Sequence, residues 1–249
     1  MLLQAYQSNP AALQDRIILV TGAGAGLGRA AAKAFAQHGA TVVLLGRTTH
    51  KLEQVYDEIE QAGGPQAAIY PLNLEGASYK DYEMLAERLE EVFGRLDGIL
   101  HNAALLGGLT PFEHYSVERW YQVLQVNLNA PFMLTQTCLP LLKKSADASL
   151  VFTVSDQVQQ AKAYWGAYGV SKWALQGLML MLAQELEANT PVRVNSINPG
   201  KALTDLRRQA YPGETPDQVP LPEALMQTYL YLMSSDSRQQ NGQTFECSL

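Results

Sequence analysis

The chain has 249 residues, 47% of them hydrophobic and 17% charged, with a formal net charge of −6 at pH 7. That composition suits one large globular domain, and its acidic balance argues against a nucleic-acid partner, whose phosphates call for a basic face. Two cysteines, four histidines without ligand spacing and no apolar run near ~20 residues leave no disulfide framework, metal site or membrane span to expect.

Strand-like and helix-like segments alternate along the chain. Ile17–Val20 is a short continuous apolar run ending in a glycine-rich turn, and 27–38 reads as a helix. A second strand is expected at 40–45, a helix at 49–62 stopped by Gly63-Gly64-Pro65, and a third strand at 67–72. An acidic-faced helix over 78–93 precedes a fourth strand at 96–101. A long helical region, 117–144, carries Pro131 and Pro140 as its expected interruptions. Strands at 149–154 and 192–197 flank a helix at 168–188. Proline-rich residues 201–221 read as an irregular flap, followed by a helix at 222–233 and a last strand at 243–246. Continuous Val/Ile/Leu runs mark strands buried on both faces, and repeated β-α-β units give a parallel sheet. The expected fold is therefore a Rossmann-type doubly wound α/β domain, residues 1–249, with a seven-stranded parallel sheet between helices.

Thr21-Gly22-Ala-Gly24-Ala-Gly26-Leu27-Gly28 follows the first strand and opens the first helix. Glycines there let backbone approach a pyrophosphate, whose charge the free N–H groups of a helix N-terminus meet. The second strand ends Leu45-Gly46-Arg47, without the acid that binds a ribose 2′-hydroxyl. A guanidinium suits a 2′-phosphate, so NADP(H) is favoured, with NAD(H) as the alternative.

Tyr168 and Lys172 stand four apart in a helix and share one face. A phenol beside an ammonium is a proton-transfer pair, and the cation is expected to lower the phenol's pKa. The first residues show no basic segment before a long apolar run, so no secretory signal is expected and the compartment is expected to be cytoplasmic.

With Gly22, Gly26, Gly28, Ser155, Tyr168 and Lys172 in order, the chain resembles the short-chain dehydrogenase/reductase family over essentially its whole length. The resemblance also rests on Asn102-Ala103, Asn127 in Val-Asn-Leu, and Asn198-Pro199-Gly200-x-x-x-Thr204. More narrowly, Leu100-His-Asn-Ala, Trp165-Gly-Ala-Tyr168 and Tyr229-Leu-Tyr-Leu-Met233 resemble the bacterial YciK-type reductases. The resemblance implies an oxidoreductase acting on a small carbonyl or alcohol substrate. It makes Tyr168 the general acid/base, Ser155 the hydrogen-bonding partner of the substrate oxygen, and Lys172 the residue that holds the nicotinamide ribose. Asn127 completes the set by holding a relay water. Asn73, Leu74, Asn102, Ala103, Pro199, Gly200 and Thr204 are the further cofactor contacts it implies. A non-catalytic dinucleotide-binding sensor or scaffold is the alternative on the same fold.

Three positions depart from the family pattern. Ala104 stands where the turn usually has glycine, Asn73 replaces an adenine-side aspartate, and Asp156 follows Ser155 where a neutral residue is usual. Gln157, Tyr164, Trp165 and the flap are expected at the substrate pocket, with Arg207 and Arg208 solvated. Apolar residues on more than one face of the helices at 117–144 and 168–188, with the resemblance, imply a homodimer or homotetramer.

Overall fold

A computed structural model describes Met1, residues 6–156 and residues 160–247. Its strands are β1 (Ile17–Thr21), β2 (Thr41–Gly46), β3 (Ala68–Pro71), β4 (Gly98–His101), β5 (Ala148–Thr153), β6 (Val192–Asn198) and β7 (Thr244–Glu246). All pairings are parallel and the order is β3-β2-β1-β4-β5-β6-β7. The order reverses between β1 and β4, and a crevice opens there at the carboxyl ends of the strands.

Alternate residues of each strand face opposite sides, and both sides are covered by helices. Ile18, Val20, Val42 and Leu44 pack under α1 (Gly26–Gln37), α2 (Thr49–Gln61) and α8 (Met226–Met233). Ile17, Leu19, Val43 and Leu45 pack with α3 (Tyr79–Phe93), α5 (Ala130–Lys143) and α6 (Gly166–Glu187). Two-sided burial is why the strands read as unbroken apolar runs.

The amino ends of the strands are held by charge. Asp147, just before β5, pairs with Arg16 and Arg193, and all three side chains are nearly buried. The same guanidiniums donate to Ser235 Oγ and to the Leu232 and Ser234 carbonyls, which ties the C-terminal segment beneath the sheet.

Two segments differ from expectation. The region 117–144 is α4 (Val117–Leu124) and α5, joined by a π-helical turn over Gln125–Asn129. Pro131 sits in the first turn of α5 and Pro140 inside that helix, so the irregularity falls just before Pro131. Proline has no N–H to give the Asn127 carbonyl four residues earlier, so the backbone widens there instead of continuing as α-helix. The flap is not wholly irregular: it folds α7 (Asp205–Ala210), whose N-terminus is capped by Thr204 Oγ1 accepting from the Arg207 N–H at 3.1 Å.

Candidate active site

The glycine turn is shaped by positions where a side chain has no room. Gly22 and Gly26 have φ of 69° and 53°, a left-handed backbone that favours glycine. A Cβ on Gly28 would lie 2.3 Å from the Gly22 carbonyl oxygen and 2.7 Å from Asn102 Nδ2. The first turn of α1 is thereby drawn against the β1 loop. Ala25 stands before that helix in extended conformation and provides no side-chain cap. The leading N–H groups of a 12-residue helix thus face the crevice, which fits a pyrophosphate.

Thr21 locks this turn to the next strand end. Its hydroxyl accepts from the N–H groups of Asn102 (3.0 Å) and Ala103 (3.1 Å) and donates to the Leu100 carbonyl (3.3 Å). Sequence reasoning did not single out Thr21 as a site residue, although a small hydroxyl at the end of β1 was the available signal.

Two adjoining clefts, of about 270 and 340 Å³, run over the strand ends. The first is lined by Ser155, Tyr168 and Lys172 together with Leu27, Asn102 and Ala103. Pro199, Gly200 and Thr204 close its far side. The second lies beyond β2, where Gly24, Arg47, Asn73 and Leu74 meet. Asn73 Oδ1 accepts from the Glu75 N–H at 3.3 Å, so the residue shapes its own turn as well as the cleft wall. Lys51, in the first turn of α2, also lines this cleft and was missed by the sequence reading. Its place in the first turn of the helix that follows the strand end carrying Arg47 was the signal.

Asn127 and Gly28 stand behind these walls. The Asn127 carboxamide accepts from the Leu105 N–H (2.8 Å) and donates to the Leu105 carbonyl (3.0 Å) and to Ser171 Oγ (3.0 Å). Ser171 in turn donates to the Tyr168 carbonyl at 2.8 Å. Both amide hydrogens of Asn127 are therefore spent on holding the loop after β4 to α6.

Tyr168, Ser155 and Lys172 meet at the end of β5. Ser155 shares a hydrogen bond with the Tyr168 phenol. Lys172 Nζ donates to the Thr153 carbonyl at 2.7 Å and stands 5.6 Å from the centre of the Tyr168 ring. Burial pushes the Tyr168 phenol up to about 12; the Ser155 hydrogen bond opposes this, and Asp156 and Tyr211 add to it. Burial also pulls the Lys172 ammonium down to about 8. The expected lowering of the Tyr168 pKa is thus reversed in this state: both groups are dry, and loss of water disfavours the charged form of each. Tyr168 is a protonated phenol at neutral pH. Asp156 adds a minor push because its carboxylate turns to Lys162 at 2.8 Å.

Among the walls, Trp165 stacks at a tilt on Tyr168 (5.6 Å) and on Tyr211 (5.8 Å). Tyr164 does not share this place; it is 60% exposed and has φ of 72°. Arg207 is not solvated: it is paired with Glu214 and lies 3.9 Å over the Tyr211 ring, whereas Arg208 is exposed beside Asp205. Gln157 lies outside the described residues. His101 is buried against Phe152, held by Thr135 Oγ1 at 2.9 Å, and kept neutral by burial, which lowers it to about 3. Among the described residues no helix is long and apolar enough to cross a membrane, and no group of side chains could hold a metal ion.

The family model for short chain dehydrogenases matches residues 16–215. The oxidoreductase YciK of Escherichia coli (strain K12) is 47% identical over 241 residues, covering 97% of this chain and 95% of that one. A solved short chain dehydrogenase from Pseudomonas syringae superposes with a TM-score of 0.95 at 52% identity, over 99% of this chain and 100% of that one. A short chain dehydrogenase from Shigella flexneri, solved in complex with NADP, gives 0.93 at 46% identity, over 96% and 99%. With a dinucleotide-shaped turn, a tyrosine-lysine-serine cluster at the strand ends and these matches across nearly the whole chain, the protein belongs to the short-chain dehydrogenase/reductase family of oxidoreductases, alongside YciK.

Proposed function

We propose that this chain is an NADP(H)-dependent carbonyl reductase or alcohol dehydrogenase with Tyr168 as its general acid/base. One observation carries the reading: Ser155, Tyr168 and Lys172 converge in the cleft that continues from the glycine turn. When bound, the nicotinamide dinucleotide supplies or accepts the hydride. The chain's own residues do the rest. Ser155 and Tyr168 donate hydrogen bonds to the substrate oxygen, where negative charge grows. Tyr168, protonated at neutral pH, passes its proton to that oxygen, and the Lys172 ammonium stabilises the phenolate left behind. The relay water assigned to Asn127 falls to its backbone carbonyl, since its amide hydrogens are already used.

Arg47 and Lys51 would hold the 2′-phosphate in the cleft they share. The NADP complex of the Shigella flexneri relative supports that preference. Asn73 and Leu74 would border adenine, and Thr204 and Gly200 the nicotinamide end. The chain would work as a single domain, with residues 201–221 as a movable flap over the substrate. The cysteines, Cys138 and Cys247, are both unpaired, which suits the cytoplasm. A second copy of this chain would cover Tyr121, Phe132, Trp173 and Met181, which are exposed apolar side chains on α4, α5 and α6. Light scattering at micromolar concentration tests this, and a monomer refutes it.

The catalytic reading is tested by following NADPH oxidation against a panel of ketones and aldehydes, with Tyr168→Phe beside the native protein. Turnover that falls at least ~10²-fold in the variant supports it. Tight NADPH binding with no turnover of any carbonyl would make the protein a dinucleotide sensor.

A further inference from the structure

The substrate side of the cleft has a definite chemical character. Trp165 lies between two rings, Tyr168 at 5.6 Å and Tyr211 at 5.8 Å, tilted by 54° and 47°. Leu106, Leu206 and Ala210 join them in one apolar cluster. The reactive phenol therefore opens onto hydrocarbon and aromatic faces.

The charges at this end are already matched. Among the described residues, and apart from Lys172, proposed above to serve in proton transfer, the charged residues lining the cleft are Asp156, Asp205 and Arg207. Asp156 pairs with Lys162 at 2.8 Å, and that ammonium also lies 5.9 Å over the Trp165 ring. Asp205 pairs with Arg208 at 3.2 Å. Arg207 holds Glu214 by two hydrogen bonds, each 2.7 Å, with four-fifths of both side chains buried. A carboxylate or phosphate on the substrate would have to break that fork-shaped pair and leave Glu214 without its cation. Hydroxyls of a polyol pressed on the Trp165, Leu206 and Ala210 faces would lose water without gaining partners there.

We propose that the substrate is an uncharged carbonyl compound, or its alcohol, whose body is an apolar ring, carbocyclic or aromatic, seated against Trp165 and Tyr211. This rests on the oxidoreductase reading above and adds the class of molecule whose oxygen Tyr168 meets. Tilted aromatic walls favour a flat or ring-shaped body at centroid distances of this kind. Trp165 and Tyr211 then set specificity, and the Arg207–Glu214 pair excludes anions.

The test uses the full chain with saturating NADPH and four probes: cyclohexanone, acetophenone, the 2-ketose fructose and the anionic ketone 4-oxopentanoate. Either ring ketone is expected to exceed both other probes by at least ~10²-fold in kcat/KM. Trp165→Ala and Tyr211→Ala are each expected to raise the ring-ketone KM about 10-fold, with kcat falling less than KM rises and NADPH affinity serving as the folding control. Glu214→Gln frees Arg207 and is expected to raise the 4-oxopentanoate to cyclohexanone ratio about 10-fold. Ring ketones should also quench tryptophan fluorescence in the native protein and lose that quench in Trp165→Phe. Preferred turnover of fructose or 4-oxopentanoate overturns the substrate class while leaving the oxidoreductase reading intact. No turnover of any probe, with NADPH bound, overturns both.

Discussion

Replacing Lys172 by methionine keeps the buried stem and removes the ammonium, and two independent consequences follow. The first is catalytic. The ammonium stands 5.6 Å from the Tyr168 ring. At an effective dielectric of ~20 this is worth about 3 kcal/mol whenever the phenol oxygen carries negative charge. That corresponds to roughly 10²-fold in kcat/KM for a carbonyl substrate. The second consequence is thermodynamic. Burial lowers Lys172 from 10.5 to about 8, so the folded state disfavours the charged form. Below about pH 8 the ammonium is carried into the interior and its burial destabilises the protein. Between about pH 8 and 10.5 the unfolded chain still binds this proton and the folded chain has released it, so stability rises with pH in that window, by about 3 kcal/mol in full. Urea unfolding at pH 7 and pH 10 reads this gain as the difference between native and Lys172→Met curves, which removes the contribution of other groups. A variant that keeps more than about a third of native turnover, or whose stability runs parallel to the native curve across the window, would refute the reasoning.

Arg47→Ala removes the charge assigned to the 2′-phosphate; NADPH affinity should fall about 10-fold by fluorescence titration while NADH affinity stays level, and equal losses for both would contradict the assignment. Gly28→Ala places a methyl 2.3 Å from the Gly22 carbonyl, so the turn must move. A loss of about 1–3 kcal/mol in urea and at least ~10-fold in NADPH affinity is expected, and native-like values for both would show that the turn tolerates it. Asp147→Asn leaves Arg16 and Arg193 without their carboxylate; about 3–5 kcal/mol of stability should go at pH 7, measured by denaturant midpoint. The two guanidiniums hold that carboxyl below its ordinary range. Its contribution is therefore complete above about pH 4 and lost as pH falls through the lower folded value, an acid limb that the variant should lack.

Much of this protein is written in local pattern. Ile17–Val20 and Thr41–Leu45 announce buried strands because a sheet covered on both faces needs apolar residues at every position. The glycine turn announces a phosphate cradle because its left-handed backbone favours glycine, and Tyr168 and Lys172 declare themselves because helical spacing alone puts them on one face. The π turn at 125–129 was less legible. Pro131 signalled a break, but only packing of Asn127 against Leu105 and Ser171 decides how the helix accommodates it.

Residue type and spacing alone declare the doubly wound fold and the dinucleotide-binding turn, and they nominate the serine, tyrosine and lysine proposed to react. Each follows from residue type and spacing within one or two elements. The environment of those side chains is set by the tertiary fold. The reversed pKa shift of Tyr168 comes from burial contributed by elements far apart in the chain. The pairing of Arg207 with Glu214, and of Asp156 with Lys162, matches the charges of two segments beside the Trp165 and Tyr211 rings. Desolvation and charge matching depend on every neighbour at once, and neighbours distant in sequence are assigned only by the fold.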